Sequence, residues 1–272
     1  MAKHIQRTLN RNEDRNFSEL TGKFKNNIYG TSKGKLREAV LQRDLTQHVS
    51  WLGADCEKTV LDVGGGQGQL SMFLAQQGHH VTLIDISKEM LAQARTQADA
   101  LEVSDRITLI HAPLQGLPDL NLGQFDLVLC HAVLEWLTEQ QQALKLLSDR
   151  LTTEGYLSLM YYNRAAQRMA NMVYGNFDYV LNGLQVKQKV GLSPNRPLEP
   201  DDVNSWLSAL PLKKLSQSGV RCFHDYLREP EKAKNEFDAL LALELKYNQQ
   251  EPYASLGRYT HLMMQHRQTT SR

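Results

Sequence analysis

Five short runs between residues 59 and 163 are apolar almost without interruption: TVLDV (59–63), HVTLID (80–85), ITLIH (107–111), FDLVLCH (125–131) and GYLSLMYYN (155–163). A strand with one wet face alternates polar and apolar residues, whereas a continuous apolar run suits a strand buried on both faces of a parallel sheet. Between these runs the apolar period lengthens to that of a helix. QLSMFLAQQG stops at Gly78, SKEMLAQARTQADAL opens on Ser87 as an N-cap, and TEQQQALKLLSDRL follows the fourth run. Strand and helix therefore alternate, which predicts a doubly wound α/β sheet.

The flanks extend this pattern into one domain over 1–272. Residues 1–15 are polar and read as disordered, 16–50 as an N-terminal helical cap, and 51–163 as the ligand-binding core. Residues 164–211 form an insertion, with one helix around RAAQRMANMVY and another from DDVNSWLSAL. Residues 212–272 carry LKKLSQSGVRCFH and LGRYTHLMMQH, both strand-like, and a helix. No apolar run reaches the roughly 20 residues that span a bilayer, and the polar N-terminus lacks a signal region, so a soluble cytoplasmic protein is expected. Cys56, Cys130 and Cys222 are far apart with no CxxC pair, so the expectation is reduced, mostly buried thiols and no metal.

VLDVGGGQGQL (60–70) carries the chemistry. Its glycines fall where the first strand meets the first helix, where unpaired backbone N–H groups and the helix dipole favour a negative group. Asp85 closes the second strand, 17 residues beyond Gly68, and a carboxylate there accepts hydrogen bonds from ribose hydroxyls. A dinucleotide fingerprint reads GxGxxG. Here Gly64, Gly66 and Gly68 read GxGxG and Gln69 follows.

LDVGGGQG, Asp85 and FDLVLCHAVLEWL resemble the motifs of class I S-adenosylmethionine-dependent methyltransferases. Outside that core, NFSELTGKFKNNIYGTSKGKLREAVL (16–41), SLMYYN, NMVYGNFDYV (171–180), GVRCFHDYL (219–227) and EPYASLGRYTH (251–261) resemble the bacterial tRNA 5-carboxymethoxyuridine methyltransferases. The resemblance implies a Rossmann-like methyltransferase sheet, mostly parallel with an antiparallel last strand, with the N-terminal helical segment and a helical insertion after strand 5. It implies S-adenosyl-L-methionine as cofactor, the anticodon stem-loop of tRNA as partner, and methylation of the 5-carboxymethoxyuridine carboxylate at the wobble position. By the same resemblance the cofactor contacts fall on Arg37 in GKLR, on Gly64 and Gly65, on Asp85, on Leu114 and Gln115 after the third strand, and on His131 after the fourth. The return to strand 5, LTTEGYL, departs from the Pro-Gly-Gly turn usual in class I methyltransferases.

The residues themselves support several of these roles. A guanidinium such as Arg37 can grip the methionine carboxylate with two parallel hydrogen bonds. Glu135 and Trp136 fit core packing or capping as well as a substrate role. The net charge of +1 does not mark a nucleic-acid binder, so attraction must come from a patch. Lys/Arg outnumber Asp/Glu by ten to five over residues 1–50 and five to one over 160–196, but are outnumbered eleven to four over 51–135. Lys187 and Lys189, or Lys23, Lys25, Lys33 and Lys35, are candidates to hold phosphates, and Phe177 and Tyr179 to stack on a base. A carboxylate nucleophile is already ionised at neutral pH and needs no general base. One arginine, Arg221 or Arg228, is then expected to hold its second oxygen, and no catalytic acid or base is assigned. A small-molecule carboxyl or phenol methyltransferase, a relative using carboxy-S-adenosylmethionine, and a non-catalytic tRNA-binding module share parts of this pattern.

Overall fold

The computed structural model describes residues 31–184 and 196–267. Strands β1 (Thr59–Val63), β2 (His80–Asp85), β3 (Ile107–His111), β4 (Phe125–His131), β5 (Leu151–Tyr162), β6 (Leu212–Val220) and β7 (Tyr259–His266) form one sheet in the order β3-β2-β1-β4-β5-β7-β6. The first five pair in parallel, while β7 runs antiparallel between β5 and β6. The chain reverses direction in strand order at β1/β4, the switch point whose carboxyl-end crevice receives ligands in such sheets.

Two cores lie on opposite faces, and the strand period of two sorts residues between them. On one face Val60, Leu127, Leu129, Tyr156, Met160 and Met263 pack under helices α1 (Ser32–His48), α2 (Gln69–Gln76) and α3 (Lys88–Ala100). On the other, Leu61, Val128, Leu157, Leu159 and Leu262 meet α4 (Gln140–Ser148), whose Leu144 and Leu147 are fully buried. The predicted N-cap is present, since Ser87 Oγ accepts the Met90 N–H at 3.2 Å.

Strand 5 starts earlier than expected. LTTEGYL is not a turn leading to a strand at 155, because Leu151 already pairs with Phe125 and the ladder shifts register before Leu127. Glu154 takes a positive φ of 68° at that irregularity. Strand 6, conversely, stops at Val220, where Arg221 turns with φ 64° and RCFH leaves the sheet.

The insertion begins with α5 (Arg164–Val173) and α6 (Phe177–Leu181) and ends with α7 (Pro200–Ser208). Asn163, fully buried, fastens it. Its Oδ1 accepts the N–H groups of Ala165 and Ala166, while its Nδ2 donates to the carbonyls of Ser255 and Gly257 ahead of β7. Asn163→Ala removes these four bonds and leaves buried backbone groups unpaired. A loss of roughly 2–4 kcal/mol in urea unfolding is expected, and a loss below about 1 kcal/mol would contradict this role.

Candidate active site

The turn after β1 has no room for side chains at Gly64 and Gly65. Gly64 has φ 69°, and a Cβ there would lie 2.4 Å from Val133 Cγ2. A Cβ on Gly65 would lie 2.6 Å from the Asp62 carboxylate. Gly66, at φ 59°, donates its N–H to Asp85 Oδ2 at 2.9 Å, and Ser87 N–H donates to Oδ1 at 2.8 Å. Each Asp85 oxygen keeps further acceptor capacity. Burial raises the Asp85 pKa, against the opposing pull of the Ser87 and Gly66 N–H groups. Beneath the turn, Asp62 accepts the Ser71 hydroxyl at 2.7 Å, and burial together with the Asp85 charge pushes its pKa up to about 6.

The other predicted residues gather unevenly around this turn. His131 ends β4, half-buried, with Nε2 2.8 Å from Ser158 Oγ. Burial above all, with the Arg37 charge adding to it, holds its pKa well below the ordinary value, so the ring is neutral. Arg37 is half-buried on α1, close enough for its charge to act on His131, Glu135 and Tyr259. Leu114 and Gln115 open the single turns after β3, but the Leu114 side chain belongs to the core and the Gln115 side chain is exposed. Any ligand contact at Leu114 would fall to its backbone.

Glu135 and Trp136 are both buried in the turn Leu134–Trp136. Neither carboxyl oxygen of Glu135 has a hydrogen-bond partner among the described residues. The N–H groups of Glu135 and Tyr162 and the Arg37 charge draw its pKa down, yet burial wins and pushes it up to about 7.

Arg221 is already engaged. Its Nε lies 2.9 Å from Asp225 Oδ1 and its Nη2 2.5 Å from Oδ2, and the guanidinium sits over the Tyr259 ring. Asp225 also meets His224 Nδ1 at 3.0 Å and Arg258 Nε at 3.6 Å. Burial opposes ionisation of Asp225, but His224 and the two arginines hold its carboxyl well below the usual range. Arg228 is exposed, and Arg258 stacks on Tyr162 at 4.8 Å.

The basic segments are thinner than their composition suggests. Arg164 and Arg168 both pair with Glu199, at 3.4 and 2.5 Å. Lys33 and Lys35 are exposed on α1, whereas Lys23, Lys25, Lys187 and Lys189 lie outside the described residues. Phe177 is exposed and Tyr179 half-buried on α6.

A methyltransferase-domain family matches residues 60–155. The magnesium protoporphyrin IX methyltransferase of Synechocystis, solved with bound S-adenosylhomocysteine, superposes with a TM-score of 0.57 at 19% identity, covering 92% of this chain and 95% of that one. A ubiquinone biosynthesis O-methyltransferase of Psychrobacter cryohalolentis is 31% identical over 140 residues, 48% of this chain and 54% of its own length. The tRNA 5-carboxymethoxyuridine methyltransferase of Escherichia coli K12 is 44% identical over 250 residues, 92% of this chain and 95% of the relative. The chain belongs to the tRNA 5-carboxymethoxyuridine methyltransferase family. It is an S-adenosylmethionine-dependent enzyme.

The site fits that cofactor. Its turn rejects side chains at Gly64 and Gly65 and so leaves the backbone there open to close approach, and Asp85 retains acceptor capacity for hydroxyls. Sequence reasoning passed over Asp62, Asp44, Ser158, His261, Asp225 and Arg258. Ser158 did carry a signal, as a polar position inside the apolar run YLSLMYY.

Glu135 yields a test in the cofactor-free protein. Its folded-state pKa of about 7 exceeds the ordinary 4.5, so the folded state binds the proton more tightly. The resulting stability is present below about pH 4.5 and is lost as pH rises to about 7, on the order of 1–3 kcal/mol. Glu135→Gln should lack this decline, so urea titrations of the two proteins should diverge across that window. Parallel profiles would show that the carboxyl is not destabilised by burial.

Proposed function

We propose that this enzyme transfers the methyl group of S-adenosylmethionine to the carboxylate of 5-carboxymethoxyuridine at the tRNA wobble position, giving the methyl ester. One observation carries the substrate assignment. The methyltransferase domain covers only residues 60–155, whereas the identity with the Escherichia coli enzyme runs over 250 residues. It therefore takes in α1 and the insertion, which lie outside that domain.

The cofactor supplies a sulfonium-bound methyl group as electrophile. Arg37 would pair with its methionine carboxylate, the Gly64–Gly65 backbone would pass close beneath it, Asp85 would accept its ribose hydroxyls, and His131 would contact it beside β4. The backbone at Leu114 and Gln115 completes the cofactor contacts we propose. His131, held neutral by burial, is suited to hydrogen bonding rather than to carrying charge.

The acceptor carboxylate is ionised at neutral pH, so these residues need only orient it and exclude water. Too firm a grip on the attacking oxygen would stabilise the ground state more than the transition state. One cation on the other oxygen suffices. Arg221 is tied to Asp225, which favours the exposed Arg228 or the loosely paired Arg258 for this role. The exposed Phe177 on α6 and the exposed Lys33 and Lys35 on α1 are our candidates for the anticodon stem-loop, through stacking and phosphate contacts.

The test is nucleoside mass analysis after incubating tRNA that carries 5-carboxymethoxyuridine with isotope-labelled S-adenosylmethionine. The expected product gains one labelled methyl on that nucleoside alone. Labelled esters of free small acids, with tRNA unchanged, would place the enzyme among small-molecule methyltransferases instead.

A further inference from the structure

A chain of buried hydrogen bonds runs from α1 through the sheet to His131. Asp44 Oδ2 lies 2.7 Å from His261 Nδ1, His261 Nε2 lies 2.8 Å from Ser158 Oγ, and Ser158 Oγ lies 2.8 Å from His131 Nε2. Asp44, Ser158 and His261 are fully buried. The strand period explains how they meet. His131 and His261 both stand opposite Met160, on either side of β5, and Ser158 lies two residues earlier on the same face. Asp44 reaches them from the helix covering that face, held by Arg43 Nε at 2.6 Å and Gln249 Nε2 at 3.2 Å on its other oxygen.

Counting protons along this chain fixes its direction. A serine hydroxyl has one proton and can donate to only one of two imidazole nitrogens, so the other imidazole must donate to it. Burial disfavours the Asp44 carboxylate, but the His261 hydrogen bond and the Arg43 charge hold its pKa down. The carboxylate therefore accepts the His261 Nδ1–H. Arg43 already balances the Asp44 charge, and a second cation on the fully buried His261 would lie without a counter-charge; with its single proton on Nδ1, His261 offers a lone pair at Nε2 and takes the Ser158 proton. Ser158 in turn accepts from His131 Nε2–H, and His131 Nδ1 is left unprotonated.

We propose that Asp44, His261 and Ser158 are positioning residues that set the tautomer of His131, so that its Nδ1 serves as the hydrogen-bond acceptor toward the cofactor. This rests on the reading of His131 as a cofactor contact. An acceptor there suits a ligand N–H or O–H, such as the methionine ammonium group, and would reject a second acceptor. The same clamp sets α1, so Asp44 fixes the helix that carries Arg37 two turns away.

Asp44→Asn tests the direction. Arg43 and Gln249 would keep the amide oxygen, turning the NH₂ group toward His261 Nδ1 and reversing every bond in the chain. Nitrogen-15 NMR of the cofactor-free protein should show a pyridine-type His131 Nδ1 in the wild type and a pyrrole-type Nδ1 in Asp44→Asn. S-adenosylhomocysteine should bind the variant about 10-fold more weakly by calorimetry, the equivalent of one hydrogen bond. Ser158→Ala leaves the Asp44–His261 clamp intact, guards against a misfolded first variant, and should give mixed His131 tautomers with a similar loss of affinity. The nitrogen shifts report the chain alone, whereas His131→Ala binding reports the cofactor contact alone, so the two can fail separately. A protonated Nδ1 in the wild type, or shifts and affinity unchanged in both folded variants, would overturn the proposal.

Discussion

The crowding of the turn between β1 and α2 is the constraint on which the site depends. Val133 closes on Gly64 from the β4 side and the Asp62 carboxylate closes on Gly65 from below, so only bare backbone can pass. Two carboxylates frame that backbone, one supporting it through Ser71 at the start of α2 and the other binding Gly66 N–H from the end of β2. Asp85 is therefore structural as well as a proposed ligand: the bonds that orient its carboxylate also hold the turn open. Placing both acids here costs free energy through burial, visible in their raised pKa values. A functional site commonly retains such a local penalty.

The second face of the same design is the α1 layer. A helix packed on a sheet needs only apolar contact, and Leu36, Val40, Leu41 and Leu45 provide it. Asp44 adds direction, because a charged hydrogen bond to His261 tolerates one placement of the helix. Three further arginines are likewise fixed by acids, Arg221 by Asp225 and Arg164 and Arg168 by Glu199. Charge in this molecule is arranged locally, which is why the net value of +1 says little about what it binds.

The sheet was legible because burial on both faces writes itself into short continuous apolar runs. Strands β1 to β4 have the bounds read from the sequence, and the two expected insertion helices, α5 and α7, lie within a residue or so of their predicted starts, whereas the short α6 was not expected. Strand β5 was misjudged at its beginning, since LTTE is polar and joins the ladder only through an irregular register beside Phe125. Asp85 was readable from its position alone. Asp44, Ser158 and His261 were not, because they are 114 and 103 residues apart along the chain and only register and helix docking unite them. The pairing of Arg221 with Asp225 is close in sequence, but it depends on the left-handed turn at Arg221, which a non-glycine residue does not announce.

The central claim is that α1 and the carboxyl ends of β1, β2 and β4 together form one cofactor site. A crystal structure of the enzyme with S-adenosylhomocysteine tests it most directly. The account predicts the homocysteine carboxylate on the Arg37 guanidinium, the ribose hydroxyls on Asp85, and the ligand backbone crossing Gly64 and Gly65. A ligand bound over that turn with Arg37 directed to solvent would contradict it, leaving α1 as a packing element alone.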